Sequence, residues 1–222
     1  MIRKKPLVNG EVYHIFNRSI ANFVIFNDEN EYERMRQLFK YYIVNNGLKF
    51  SNFIELKSVQ QVGFNNILNI ITKDKDKLIQ IIAYCLMPTH IHLALKQLTD
   101  NGISDFMQKT LNSYSTYFNI AHKRKGPLWE SRFKSVLIES DEQLNHLVRY
   151  THLNPTTASL VNSPEDWLYS SYREYLGEVN PSQTICQFND VLDIKPSLYR
   201  KFVNDQVSYQ RSLAKIKNLV VD

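Results

Sequence analysis

The side chains with the most chemistry in them are those of His90-Ile91-His92. On a strand, successive side chains alternate faces, so both imidazoles point one way while Ile91 enters the opposite layer. Two neutral imidazoles about one pleat apart make a platform for a divalent metal. The bland alternative is a pair of hydrogen-bonded histidines on a half-exposed sheet. A metal on two histidines wants a third ligand, and a reaction wants a nucleophile or an activated water. Tyr150-Thr151-His152-Leu153-Asn154-Pro155 offers a ligand and a nucleophile. Tyr150 and Asn154 are i and i+4 on a helix and share a face. Asn154 brings a neutral amide oxygen, which suits Mg²⁺ or Mn²⁺, in a last turn where the helix dipole favours a cation. Here the bland alternative is a helix-ending Asn-Pro beside an interfacial tyrosine.

Other residues compete for these roles. Among 13 tyrosines, Tyr114 and Tyr117 also follow the histidine pair on a helical segment. Tyr114 falls on the apolar stripe, where packing is its role, and Tyr117 has Ala121 at the i+4 position. His146 and His152 are candidate proton acceptors for Tyr150. Lys123, Arg124, Lys125, Arg132 and Lys134 are interleaved with Trp129 and Phe133. Cations engage phosphates and aromatic rings stack unpaired bases, at about 1–3 kcal/mol per base, so this segment is a candidate single-strand contact. Its alternative is a solvated loop flanked by two core aromatics. Arg3-Lys4-Lys5, and Arg200, Lys201, Arg211, Lys215 and Lys217 in the tail, add charge.

Elements must position these groups. The alternation at Val12, His14 and Phe16 predicts a strand over Glu11 to Phe16. Tyr32, Met35, Leu38, Phe39 and Tyr42 form a helical stripe within Asp28 to Val44, ended by Asn45-Asn46-Gly47. Residues 48–78 read as an insertion between core elements; Phe50 to Leu56 suggests a strand, and Lys73-Asp74-Lys75-Asp76-Lys77 a solvated connection. Leu78 to Leu86 and His90 to Leu95 flank Met87-Pro88-Thr89, the signature of a hairpin. Ile103 to Ala121 is a helix, Phe133 to Ile138 a strand, and Ser140-Asp141-Glu142-Gln143 a capping box opening a helix that Pro155 closes. This order is the split βαβ, ferredoxin-like α+β pattern with a central antiparallel sheet. We expect a catalytic domain over 1–163 and a helical extension over 164–222, with helical pieces at Trp167 to Leu176 and Ser197 to Asn218.

Leu86-Met87-Pro88-Thr89-His90-Ile91-His92-Leu93 resembles the HUH motif of single-tyrosine transposases. More narrowly, the chain resembles REP-associated tyrosine transposases of the insertion-sequence-200-like superfamily. Tyr13-His14 with Asn17-Arg18 is similar to that family's opening strand, and Gly126 to Ser135 to its Gly-x-Leu-Trp-x-x-Arg-Phe-Lys-Ser segment. Tyr150 to Pro155 resembles its nucleophile helix, and Trp167 with Ser170-Ser171-Tyr172 its trailing motif. The blocks run in family order over about 11–176. The resemblance implies an endonuclease and strand transferase in which His90, His92 and Asn154 hold Mg²⁺ or Mn²⁺. Tyr150 attacks hairpin-forming single-stranded DNA and forms a 5′-phosphotyrosine. It implies a monomer, with a dimer sharing its active sites, as in the wider superfamily, as the alternative. Departures are Thr89 for the usual Asn, Thr151-His152 for Ile-Glu, Thr156-Thr157 for Val-Arg, and the long 48–78 segment. The third removes a positive charge near the nucleophile.

Composition fits this reading and narrows the rest. The 222 residues, 43% hydrophobic and 12% aromatic, exclude a disordered chain and are enough to bury a core. No stretch approaches the roughly 20 apolar residues of a membrane span, and no apolar signal region follows Met1 to Pro6. Two distant cysteines, Cys85 and Cys186, predict a reduced cytoplasmic protein, and the DNA binding that the resemblance implies would make it nucleoid-associated when bound. A net charge of +5 points to an acidic partner, and the basic aromatic segment gives that charge a location.

Overall fold

The computed structural model describes residues 6–210. Four strands form one antiparallel sheet in the order β2-β3-β1-β4. They are β1 (Val12–Arg18), β2 (Ile79–Met87), β3 (His90–Gln97) and β4 (Lys134–Ile138). Helices α1 (Glu29–Tyr42) and α5 (Gly102–Ala121) cover one face, which is the expected ferredoxin-like arrangement. Between them lie α2 (Phe50–Ile54), α3 (Lys57–Val62) and α4 (Phe64–Thr72). After β4 come α6 (Asp141–Thr157), the short α7 (Tyr172–Tyr175) and α8 (Pro196–Asn204).

The covered face is aromatic and closed. Ile15, Met35, Leu38, Phe39, Phe106 and Tyr114 are fully buried there. Each such side chain contributes about 1.5–3 kcal/mol by leaving water. Asp28 caps α1 by accepting from the Glu31 amide at 3.1 Å, so the helix begins where the apolar stripe does. Gly102 opens α5 against the backbone of Leu78; a Cβ there would stand 2.1 Å from the Leu78 carbonyl oxygen.

Residues 48–78 depart from one expectation. Phe50 to Leu56 is not a strand: Phe50 and Phe53, spaced i and i+3, belong to α2 and pack on the Tyr41 ring. Tertiary contact with α1 overrides the local strand pattern. The ends of the insertion meet, with the Leu78 amide donating to the Ile43 carbonyl at 2.7 Å and Val44 bridged to Lys77. Its length therefore leaves the geometry of the sheet undisturbed.

The opposite face is closed by α6 and the segment beyond Pro164. Ile82, Ala83 and Ala94 meet Leu144, Val148, Leu153, Tyr172, Tyr175, Tyr199 and Val203 in a second cluster. The same segment covers the free edge of β2, which would otherwise expose a ladder of unpaired groups. The Leu86 amide donates to the Tyr169 carbonyl and the Ser171 amide to the Tyr84 carbonyl, both at 2.9 Å; the Gln187 amide reaches Ile81 at 2.8 Å. Residues 167–171 are irregular edge cover, and only Tyr172–Tyr175 is helical within the expected Trp167 to Leu176 piece. The second expected piece begins one residue early as α8 and that helix stops at Asn204, short of the expected Asn218; residues beyond 210 lie outside the described ones.

Pro155 does not close α6, which continues to Thr157. A proline removes one helical hydrogen bond and disfavours helical geometry before it, at about 3 kcal/mol. Burial of Leu153, Pro155 and Thr156 offsets that loss. The Ala158 and Leu160 amides then finish the helix on the Asn154 and Pro155 carbonyls, both at 2.9 Å.

Candidate active site

β3 presents His90 and His92 on the face that α6 covers, as the strand alternation requires. Their rings stand 5.1 Å apart, centroid to centroid, with planes at 85°. Burial, then the neighbouring Arg18 charge, pushes His90 down to about 4. His92 is pushed well below the usual imidazole range by burial, then by His90, His14 and Arg18. Both rings are therefore neutral at pH 7, with a nitrogen lone pair to offer.

α6 crosses beside them. Ser140 caps it, accepting from the Gln143 amide at 3.2 Å, while Gln143 Oε1 accepts from the Glu139 amide at 2.9 Å. That start fixes the phase of the helix: Leu144, Leu147 and Val148 enter the core and Tyr150 emerges at the rim, 43% exposed. Its ring meets those of His92 at 5.7 Å and His14 at 6.3 Å, edge-on in both cases. Burial, then Cys85, raises the phenol above its ordinary value, so it rests protonated. Asn154 is buried one turn on, and its Nδ2 donates to the Tyr150 carbonyl at 3.1 Å, leaving the amide oxygen as the acceptor end. Among the described residues no three His, Cys, Asp or Glu side chains are grouped to hold a metal ion. The candidate donors are two neutral imidazoles and an amide oxygen, whose chemistry suits an ion that takes its remaining ligands from substrate or water oxygens.

The candidate proton acceptors have other partners. His152 is fully buried on the other side of α6, Nδ1 2.6 Å from Tyr199 Oη and Nε2 2.8 Å from Ser171 Oγ. His146 lies 2.7 Å from Arg149 and 3.7 Å from Glu142. Tyr114 is in the core, its hydroxyl donating to the Ile25 carbonyl.

The basic segment is stitched to the end of β1. The Ile20 amide donates to Leu128 and the Glu130 amide to Arg18, both at 2.9 Å, and Asn17 Nδ2 holds the Ser131 and Arg132 carbonyls. Lys123, Lys125, Arg132 and Lys134 are exposed. Arg124 is engaged within the loop, bonding Asn119 at 3.0 Å and the Pro127 carbonyl at 2.7 Å. Trp129 packs against the core and donates Nε1 to the Leu111 carbonyl, so its ring faces the protein more than a strand of bases. Arg200 pairs with Glu165 and Glu178. Arg3, Lys4, Lys5, Arg211, Lys215 and Lys217 lie outside the described residues.

Two residues absent from the expected site belong to its neighbourhood. His14 Nε2 lies 3.0 Å from His92 Nδ1, and Arg18 pairs with His90 across the β1–β3 ladder. Strand alternation placed both on one face, but which strand neighbours β3 is not written locally.

Residues 57–154 match the family model described as IS200-like transposase. The chain is 30% identical over 114 residues to a protein of Haemophilus influenzae named as a REP-associated tyrosine transposase; the match covers 46% of this chain and 64% of that one. The chain thus spans just under two thirds of that relative's length. In shape it is similar to the solved structure of a REP-associated tyrosine transposase bound to a REP hairpin. The TM-score is 0.52 and the identity 16%, over 88% of this chain and 95% of that one. At that identity the likeness speaks for the fold. Among the described residues, no helix is long and apolar enough to cross a membrane.

Proposed function

We propose that this chain, whose residues 57–154 match the IS200-like transposase family model, is an enzyme that cleaves and rejoins hairpin-forming, single-stranded DNA through Tyr150. The observation that carries this reading is an exposed tyrosine ring set against the His92 and His14 rings at the open rim of the sheet. A solved fold relative is bound to a REP hairpin, which supports that substrate class.

Tyr150 Oη attacks a DNA phosphorus and forms the new P–O bond. The bond from phosphorus to the 3′ oxygen of the preceding nucleotide breaks, and that oxygen leaves, taking up a proton as a 3′-hydroxyl. The 5′ end stays on the enzyme as a phosphotyrosine. Attack by a 3′-hydroxyl later reverses the exchange, so the phosphodiester energy is kept and no ATP is needed. Because the phenol rests protonated, its proton must leave as the P–O bond forms. His90, His92 and Asn154 would hold Mg²⁺ or Mn²⁺, which when bound neutralises charge on the phosphoryl oxygens of the in-line transition state. Lys123, Lys125, Arg132 and Lys134 would grip the backbone by charge. A monomer in the cytoplasm, nucleoid-associated on DNA, completes the reading.

The test is a denaturant-resistant protein–DNA adduct with single-stranded hairpin DNA and Mn²⁺. Adduct present in the wild type and absent in Tyr150→Phe supports the proposal. Cleavage that survives Tyr150→Phe would point instead to a phosphodiesterase using water. Binding without cleavage would point to a non-catalytic module.

A further inference from the structure

His14 and His92 meet in a way that neither ring's chemistry alone requires. In the β1–β3 register His14 is opposite Ala94 and His92 opposite Phe16, so the two histidines are diagonal neighbours on one face. The small Ala94 leaves the His14 ring free to lean along the sheet. His14 Nε2 and His92 Nδ1 are 3.0 Å apart, with centroids at 5.3 Å and planes tilted by only 19°. The rings therefore meet edge to edge along the N···N line. Two nitrogens aimed at one another cannot both be aimed at a third atom, so this pair does not chelate an ion between its rings. The contact needs one proton, carried by one nitrogen and accepted by the other.

The two directions have opposite consequences. If His14 donates, the remaining proton of a neutral His92 sits on Nε2, and His92 has no lone pair left for a metal. If His92 Nδ1–H donates, His92 Nε2 is free. We infer that His14 is a positioning residue that accepts the Nδ1 proton of His92 and so holds His92 in the tautomer whose Nε2 can bind the ion. The inference rests on the metal reading proposed above. A metal-bound histidine that donates its other ring N–H to a fixed acceptor is the usual way its tautomer and ring plane are set. His90 also has its Nδ1 engaged, 3.0 Å from Thr89 Oγ1. Both histidines thus have Nδ1 engaged by the protein, which leaves Nε2 as the nitrogen for an ion.

The experiment reads tautomers and metal affinity separately, on the full chain. Long-range ¹⁵N–¹H NMR of the metal-free protein should find the His92 proton on Nδ1. Replacing the acceptor with a ring that cannot accept, His14→Phe, should release that proton towards Nε2 and weaken Mn²⁺ binding by about 10- to 100-fold. His14→Gln, whose amide oxygen can accept from Nδ1–H, should restore most of the affinity; a purely structural role for His14 would not give this rescue. A His92 proton on Nε2 in the wild type overturns the inference whatever the metal data show. So does a His14→Phe protein that binds Mn²⁺ as the wild type does. Equal Mn²⁺ affinity in the wild type and His92→Ala overturns the metal reading beneath it, while the NMR result still reports the direction of the hydrogen bond.

Discussion

Against α1 and α5 the sheet packs Ile15, Phe39, Phe106 and Tyr114 with no exposure at all. Against α6 the packing is tight only beside β2, around His152, and it opens towards β1, where Tyr150 is 43% exposed. Both sides of the sheet use aromatic and histidine side chains, yet they use them differently. In the closed regions the Tyr114 and Tyr199 hydroxyls and both His152 nitrogens have protein partners fixed in place; at the rim, ring nitrogens and the phenol are held on one side and left open on the other. Closure supplies stability, and incomplete closure supplies a site. His152 and His90 are the sharpest pair: one imidazole bonded at both nitrogens in a sealed cavity, the other partnered at Nδ1 and half-buried.

This contrast can be broken most decisively at His152. His152→Ala leaves a cavity and two buried hydroxyls without their shared partner, and should cost about 3 kcal/mol or more in urea denaturation. His90→Ala should cost about 1 kcal/mol or less while impairing Mn²⁺ binding. Equal losses would erase the distinction between the two regions. Gly102→Ala drives a Cβ into the Leu78 backbone on the closed side and should cost about 2–3 kcal/mol.

A pH series sharpens it further. Burial lowers His152 from 6.5 to about 3 in the folded protein. Above pH 6.5 the ring is neutral in both states and the stability is fully present. Between 6.5 and 3 the unfolded chain takes a proton that the native state refuses, so stability falls with pH, by about 1.4 kcal/mol per unit from this group. In His152→Gln the slope of stability against pH over that window should be shallower by about that amount. The smallest effect is at the core tyrosine. Tyr114→Phe removes one buried hydrogen bond to Ile25, should cost about 1 kcal/mol in a thermal melt, and should leave the DNA adduct yield unchanged. Loss of the adduct would move the nucleophile from the rim to the core.

Much of this was legible in the residues. The alternation in β1 and β3, the stripes of α1 and α5, the Pro-Thr turn and the Ser140 cap are local signals, and each became the element it announces. Elements decided by distant contacts were not. Phe50 to Leu56 is helical because Tyr41 packs on Phe50 and Phe53, and α6 runs through Pro155 because its last turns are buried. The apolar run of β2 signalled one arm of a hairpin, but not that residues 167–187 would cover its edge. Arg124 and Trp129 read as DNA contacts by type; their hydrogen bonds to Pro127 and Leu111 turn them towards the loop and the core.

Sequence by itself determined the site's chemistry: two imidazoles one pleat apart, and a tyrosine with an asparagine one helical turn on. Those spacings follow from the periods of strand and helix, which no tertiary contact alters. Only the tertiary structure decided that His14 faces His92, that His152 is sealed away from Tyr150, and that Tyr150 rather than Tyr114 reaches the rim. The physical reason is that strand order and helix phase are set by burying apolar faces between elements far apart in the chain.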